Sequence, residues 1–128
     1  MKILDSDHCI EIMRGKLDLN SKTTPDQELA ITSISIGELT HGAHRSSRSE
    51  ENLSRLDVLL ATLTVLSFDE FSARRFGSLK AGLERAGNSL HDLDLQIASI
   101  AIERDAILVT HNQRHFGRLD GLILEDWL

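Results

Sequence analysis

Short, mostly apolar runs with no internal polar alternation constrain this chain more than any other feature. Met1–Leu4, Leu29–Ile34, Thr64–Ser67, Ala106–Val109 and Leu122–Leu124 are each only a few residues long. A strand with one wet face alternates apolar and polar positions, whereas Ala106-Ile-Leu-Val109 is apolar throughout and is suited to burial on both sides. Strands of that kind alternating with helical patterns predict an α/β fold, with a central, mostly parallel sheet flanked by helices on both faces. Ligands of such sheets collect at the carboxyl ends of the strands.

The intervening segments carry helix signals. Asp7 through Met13 has helix-compatible apolar positions and ends near Gly15. Ser35-Ile-Gly-Glu38 has the spacing of a capping box and predicts a helix toward His44. Leu53, Leu56, Leu59, Leu60 and Leu63 share one face of a helix over Glu50–Leu63. Asp69 is placed to cap a helix that runs through Phe76, Leu79 and Leu83 to Gly87, a residue suited to a left-handed helix end. A last helix starts near Leu90–Asp92, capped by Asp92, and carries Ile97, Ala98, Ala101 and Ile102 toward Asp105.

With 128 residues and 41% hydrophobic content, the chain is expected to form a single domain over residues 1–128 with no linker. The lone cysteine, Cys9, has no partner for an intramolecular disulfide, and the N-terminus does not read as a signal peptide, so a cytoplasmic setting is expected. No apolar run approaches the ~20 residues needed to cross a bilayer. The formal net charge of −6 argues against nonspecific coating of nucleic acid, which depends on Lys and Arg neutralising phosphates. Basic character is nevertheless concentrated at Arg45, Arg48, Arg55, Arg74, Arg75, Lys80 and Arg85. Those residues read either as a nucleic-acid track or, more plainly, as a solvated face.

Several polar groups fall at the ends of apolar segments: Asp5 after the first strand, Glu38 one turn into its helix, Asp94 in the first turn of another, and Asn112 and His115 beyond Ala106–Val109. Desolvating a carboxylate is costly unless it is paired or binds a metal. Three convergent carboxylates supply the oxygen ligands that Mg²⁺ or Mn²⁺ prefers, and a water on such an ion can attack phosphorus. Each residue also has a plain structural reading. Asp5 and Asp7 suit a strand end and a helix cap, Glu38 suits the capping box, and Asp94 favours a helix N-terminus. The pairs His41/His44 and His111/His115 have neither Cys nor an intervening Glu, so they read as surface or capping histidines rather than a zinc site. The apolar residues Ile12–Met13 and Leu53–Leu60 fit either core or a partner surface.

Taken in order, Leu4-Asp5-Ser6-Asp7, Ser35-Ile-Gly-Glu38-Leu39 with Gly42, Asp94-Leu-Gln-Ile-Ala98, Leu108-Val-Thr110-His-Asn112, Phe116 and Glu125-Asp-Trp127 resemble the PIN-domain ribonucleases, in particular VapC-type toxins of toxin–antitoxin pairs. The resemblance implies a PIN-like domain acting as a Mg²⁺-dependent endoribonuclease, with Mn²⁺ as a substitute ion. It implies Asp5, Glu38 and Asp94 as metal ligands, Thr110 and Asn112 as residues that orient the site, and Asp7 in a supporting place. It also implies an RNA substrate, with transfer RNA suggested by analogy, a VapB-like antitoxin and a homodimer. Two positions depart from the pattern: Asp7 stands where the family has Asn, and His115 where relatives often have an acid just before Phe116. Asn112 can supply a neutral oxygen and His115 a donor to phosphate, so weaker occupancy of a second ion is expected.

The same residues fit two rival readings. One is a catalytically weak PIN-like binding module, suggested by Asn112 and His115. The other is a haloacid-dehalogenase-like phosphohydrolase using Asp5 and Asp7, for which no suitable lysine or cap segment follows.

Overall fold

The structure is a computed structural model that describes residues 1–128. In chain order its elements are β1 (Lys2–Leu4), α1 (Ser6–Met13), β2 (Leu29–Thr32), α2 (Ser33–Arg45), α3 (Ser49–Leu60), β3 (Thr64–Leu66), α4 (Glu70–Arg85), α5 (Asp92–Glu103), β4 (Ile107–Val109), α6 (Gln113–Phe116) and β5 (Ile123–Glu125). The five strands form one sheet in the order β3-β2-β1-β4-β5, and every pairing is parallel. No helix is long and apolar enough to cross a membrane.

Because neighbouring side chains on a strand point to opposite faces, the apolar strands feed two cores. Ile3, Ala30 and Leu108 pack on one face with Leu83 of α4, Leu95, Ile97 and Ala98 of α5, and Phe116 of α6. Leu4, Ile31 and Val109 pack on the other with Cys9 of α1, Leu39 of α2, and Leu56 and Leu59 of α3. The register Ile3↔Ala30 and Ile3↔Leu108 keeps each set level across the sheet. Strand order reverses at β1, whose chain continues to β2 on one side while β4 lies on the other. The carboxyl ends of β1 and β4 therefore form the crevice where an open parallel sheet binds its ligands.

Beyond shifts of a single residue, the structure departs from the sequence reading at four places, each for a local reason. β2 stops at Thr32 instead of Ile34, because the extended Thr32 turns its hydroxyl to accept the amide of Ser35 at 3.1 Å and caps α2. Ser35 is thus inside the helix, the expected Ser35–Glu38 capping box does not form, and the Glu38 side chain is left for another partner. α3 ends at Leu60, and Leu63 reaches the core from the turn that follows. Asp92 does not cap α5; His91 does, with Nδ1 accepting the Leu93 amide at 3.3 Å, while Asp92 pairs with Lys80 at 2.9 Å. α6 is a four-residue helix whose apolar period is too short to read. Asp69 caps α4 as expected, and Gly87 sits at φ +74° just past its end, where the Asn88 amide reaches Leu83 O at 2.8 Å.

The basic middle third is largely paired with acids on the surface. Arg55 meets Glu51 at 2.7 Å, Arg74 meets Glu70 at 3.0 Å and Arg75 meets Glu103 at 2.7 Å. For these residues the solvated face is the better description.

Candidate active site

Asp5 follows β1 directly, and its backbone amide donates to Val109 O at 2.9 Å, so the chain leaves β1 held against the end of β4. The residue is 8% exposed. Oδ1 accepts the Ser6 amide at 2.9 Å, and Oδ2 accepts the hydroxyl of Thr110, the first residue after β4, at 2.8 Å. Thr110 is itself fully buried and its Oγ1 accepts the Asn112 amide at 3.0 Å, fixing the loop beyond β4. Burial pushes the Asp5 carboxyl up to about 6; the Thr110 and Ser6 hydrogen bonds oppose the rise, and the charges of Asp7 and Asp94 add to it.

Glu38 and Asp94 approach the same crevice from α2 and α5. Glu38 Oε1 accepts the Ser6 hydroxyl at 3.2 Å, the bond that takes the place of a capping box. Its pKa is raised, first by burial and then by the charges of Asp94 and Asp7, against the pull of the Ser6 bond and of His91. Asp94 is also raised by burial, with His91 and His115 opposing and Asp7 adding repulsion. His115 Nδ1 lies 4.0 Å from Asp94 Oδ2 and 2.9 Å from Asn112 Nδ2. The five expected site residues Asp5, Glu38, Asp94, Asn112 and His115 therefore gather around one crevice.

Asp7 behaves differently from its neighbours. Burial acts to raise its pKa, but the ring of His8 and the amides of His111 and His8 outweigh that and hold it below the ordinary carboxylate range. It does not cap α1, since the Ser6 amide belongs to Asp5. Instead Oδ2 accepts the His111 amide at 3.0 Å and Oδ1 faces His8 Nδ1 at 2.9 Å.

Asp5, Glu38 and Asp94 fit a hard divalent cation by donor chemistry, since all three offer carboxylate oxygens and each feels the negative charge of at least one other acid here. No three His, Cys, Asp or Glu side chains are grouped closely enough to hold an ion as they stand. An ion would therefore draw Glu38 and Asp94 toward the hydrogen-bonded Asp5, a movement that the repulsion among these acids opposes and a cation's charge would favour.

Sequence reasoning missed two residues. Ser6 lies inside Leu4-Asp5-Ser6-Asp7, yet nothing in its spacing reveals that its amide serves Asp5 and its hydroxyl serves Glu38. His8 is wholly buried beside Asp7. Among the polar residues that open α1, Ser6-Asp7-His8, no period or spacing sets it apart. His111 pairs with Asp126 at 2.8 Å, and His41 and His44 are exposed on α2.

Comparison with known proteins bears on this geometry. A family model described as PIN domain matches residues 3–122. The chain is similar to Ribonuclease VapC2 of Rickettsia felis, at 35% identity over 98% of this chain and 96% of that protein. It is also similar to the tRNA(fMet)-specific endonuclease VapC of Shigella flexneri, at 33% identity over 98% of this chain and 96% of that one. Among solved structures, VapBC2 from Rickettsia felis bound to a DNA fragment from its promoter matches with a TM-score of 0.91 and 33% identity, covering 99% of this chain and 98% of that chain. DNA-bound VapBC from Salmonella typhimurium matches with a TM-score of 0.91 and 32% identity over the same shares.

Proposed function

The chain belongs to the PIN-domain family, among its VapC ribonucleases, and on that premise we propose that it is the toxin of a VapBC-like pair. In this reading it is an endoribonuclease that hydrolyses RNA phosphodiester bonds at a Mg²⁺ ion held by Asp5, Glu38 and Asp94. The observation that carries the reading is the crevice at the ends of β1 and β4, where three carboxylates from separate elements share one field of negative charge. When bound, the ion supplies a water of lowered pKa and offsets charge at phosphorus; Mn²⁺ has the same ligand preferences.

The chain's own residues set the site. Thr110 holds Asp5 Oδ2, the Ser6 amide holds Oδ1, and the Ser6 hydroxyl ties Glu38 to the same corner. Both Asp5 oxygens are therefore fixed in direction before any ligand arrives, which lowers the ordering cost of binding. Asn112 and His115 bring a neutral amide and an imidazole beside Asp94, so this corner presents donors to phosphate oxygens in place of another carboxylate. Asp7 is engaged through both oxygens by His8 and His111, which leaves it poorly placed as a phosphohydrolase's proton donor.

The Rickettsia and Salmonella structures named above are VapBC complexes, and the same reading gives this chain a VapB-like antitoxin. Its support here is a pair of grooves. One, of about 470 Å³, runs past Ser6 and Glu38 between Ile10, Met13, Leu39 and Leu56. The other, of about 650 Å³, is lined by Ile12, Leu19 and the exposed Val58. A homodimer and a cytoplasmic site of action belong to the same reading; light scattering tests the former. The tRNA(fMet) specificity of the Shigella relative makes initiator transfer RNA the first substrate to try.

The test is cleavage of total RNA and of that transfer RNA by purified protein with Mg²⁺, Mn²⁺ or EDTA. Wild type cleaves only with metal, and Asp94→Asn loses more than about 100-fold, beyond what an outer-shell partner of a metal site usually costs. Full activity of Asp94→Asn, or cleavage in EDTA, would defeat the reading. A folded wild type that binds RNA without cutting it would favour the binding module.

A further inference from the structure

We propose that His8 is a positioning residue whose two ring nitrogens tie the C-terminal segment Glu125–Trp127 to Asp7, so that the C-terminal segment helps set the corner between β1 and β4. The proposal rests on the ribonuclease reading for its catalytic consequence. It rests on geometry for the link itself.

His8 lies in the first turns of α1, fully removed from solvent. Its Nε2 faces the backbone amide of Trp127 at 3.0 Å. A backbone N–H only donates, so Nε2 accepts; in a neutral ring the proton is then on Nδ1, which donates to Asp7 Oδ1 at 2.9 Å. Asp7 passes the constraint on, because its Oδ2 takes the amide of His111 at 3.0 Å in the loop that carries Thr110 and Asn112. One chain of hydrogen bonds thus runs from the C-terminus through His8 and Asp7 to the loop that holds Asp5. An aliphatic residue would fill the same space without aiming Asp7.

The C-terminal end of the link is itself fastened. Glu125 O accepts the Thr110 amide at 2.8 Å, and Glu125 Oε2 accepts both Lys2 Nζ and the Trp127 indole N–H at 3.0 Å. Lys2 Nζ lies 5.6 Å from the centre of the Trp127 ring, and the His8 ring meets that indole edge-on at 6.2 Å. Asp126 Oδ1 stands 3.4 Å from His8 Nε2, but its other oxygen is taken by His111 Nδ1 at 2.8 Å. A ring protonated at Nε2 would turn to Asp126 instead, and that is the competing arrangement.

Two measurements on the full chain decide between them. Nitrogen NMR of histidine-labelled protein reads the tautomer directly: the Nδ1–H form is expected, and an Nε2–H or doubly protonated ring at about neutral pH overturns the proposal. Kinetics then separates positioning from packing. The amide of His8→Asn overlays Nδ1 and keeps a donor for Asp7, whereas that of His8→Gln overlays Nε2 and leaves Asp7 without its ring donor. Each variant keeps one end of the link and breaks the other, so both His8→Gln and His8→Asn should lower kcat by about tenfold with KM changed less than about threefold. In an Asp7→Asn background, His8→Gln should add no further loss. Wild-type turnover in either variant, or losses from His8→Gln that multiply with Asp7→Asn, contradict it.

Thermal unfolding reports whether each variant folds. If His8→Gln does not, Trp127→Pro removes the amide donor without touching His8 and should slow turnover well below Trp127→Ala; equal turnover refutes the link. An Nδ1–H ring in a wild-type protein that cuts no RNA would sink the ribonuclease reading and the catalytic half of this proposal together. An Nε2–H ring in an active enzyme would sink this proposal alone.

Discussion

Replacing Asp5 with Asn should make the metal-free protein more stable at neutral pH while destroying its activity. In the folded state the Asp5 pKa rises from 3.8 to about 6, chiefly through burial. Each pKa unit corresponds to about 1.4 kcal/mol, so ionised Asp5 costs the fold about 3 kcal/mol. The sign follows from proton binding: between these two values the folded state holds the proton more tightly than the unfolded chain. The stability this group contributes is complete below about pH 4 and is lost as pH rises through about 6.

Asn is neutral throughout. Its carbonyl can keep the Ser6 amide, and its NH₂ can donate to Thr110 Oγ1, which already accepts from Asn112. The Thr110 proton then loses its acceptor, at about 1 kcal/mol. The net gain at neutral pH is about 1–2 kcal/mol, a rise of roughly 5 °C in the unfolding midpoint for a chain of this size. Thermal unfolding in EDTA across the acid-to-neutral range is the assay. The variant should gain over wild type only above about pH 5, and excess Mg²⁺ should stabilise wild type but not the variant. A variant destabilised equally at all pH values would show that Asp5 is only a strand end and cap.

Other substitutions should separate site from scaffold. Thr110→Val removes a buried donor to Asp5 and an acceptor for Asn112; it should cost about 1–3 kcal/mol in urea unfolding and reduce cleavage. Phe116→Ala empties the largest fully buried side-chain site and should cost about 3–5 kcal/mol in the same assay. Arg74→Ala removes only an exposed i,i+4 pair with Glu70, and its unfolding midpoint should be indistinguishable from that of wild type.

Much of the fold was legible because its signals are local. Ala106–Val109 is apolar on both sides, and the sheet buries it on both sides, fully parallel where mostly parallel was expected. Asp69 and Gly87 mark the ends of α4 through chemistry confined to a few residues. The misplaced start of α2 has an equally local cause, since Thr32 and Ser35 are both competent caps and only the strand's exit direction selects Thr32. The candidate site divides the same way. Asp5, Glu38 and Asp94 stand out as acids at the ends of apolar elements. Ser6 and His8 act through partners 32 and 119 residues away. No period or spacing encodes such distances, so their roles emerge only once β1, β4 and the C-terminus are brought together.

The most direct test of the account is a Mn²⁺ titration followed by electron paramagnetic resonance, with RNA cleavage measured on the same samples of wild type, Asp5→Asn, Glu38→Gln and Asp94→Asn. The account predicts that wild type takes up Mn²⁺ and cuts RNA with the same ion dependence, and that each substitution weakens both together. Undiminished Mn²⁺ binding in all three variants, or cleavage that persists when binding is lost, would contradict it.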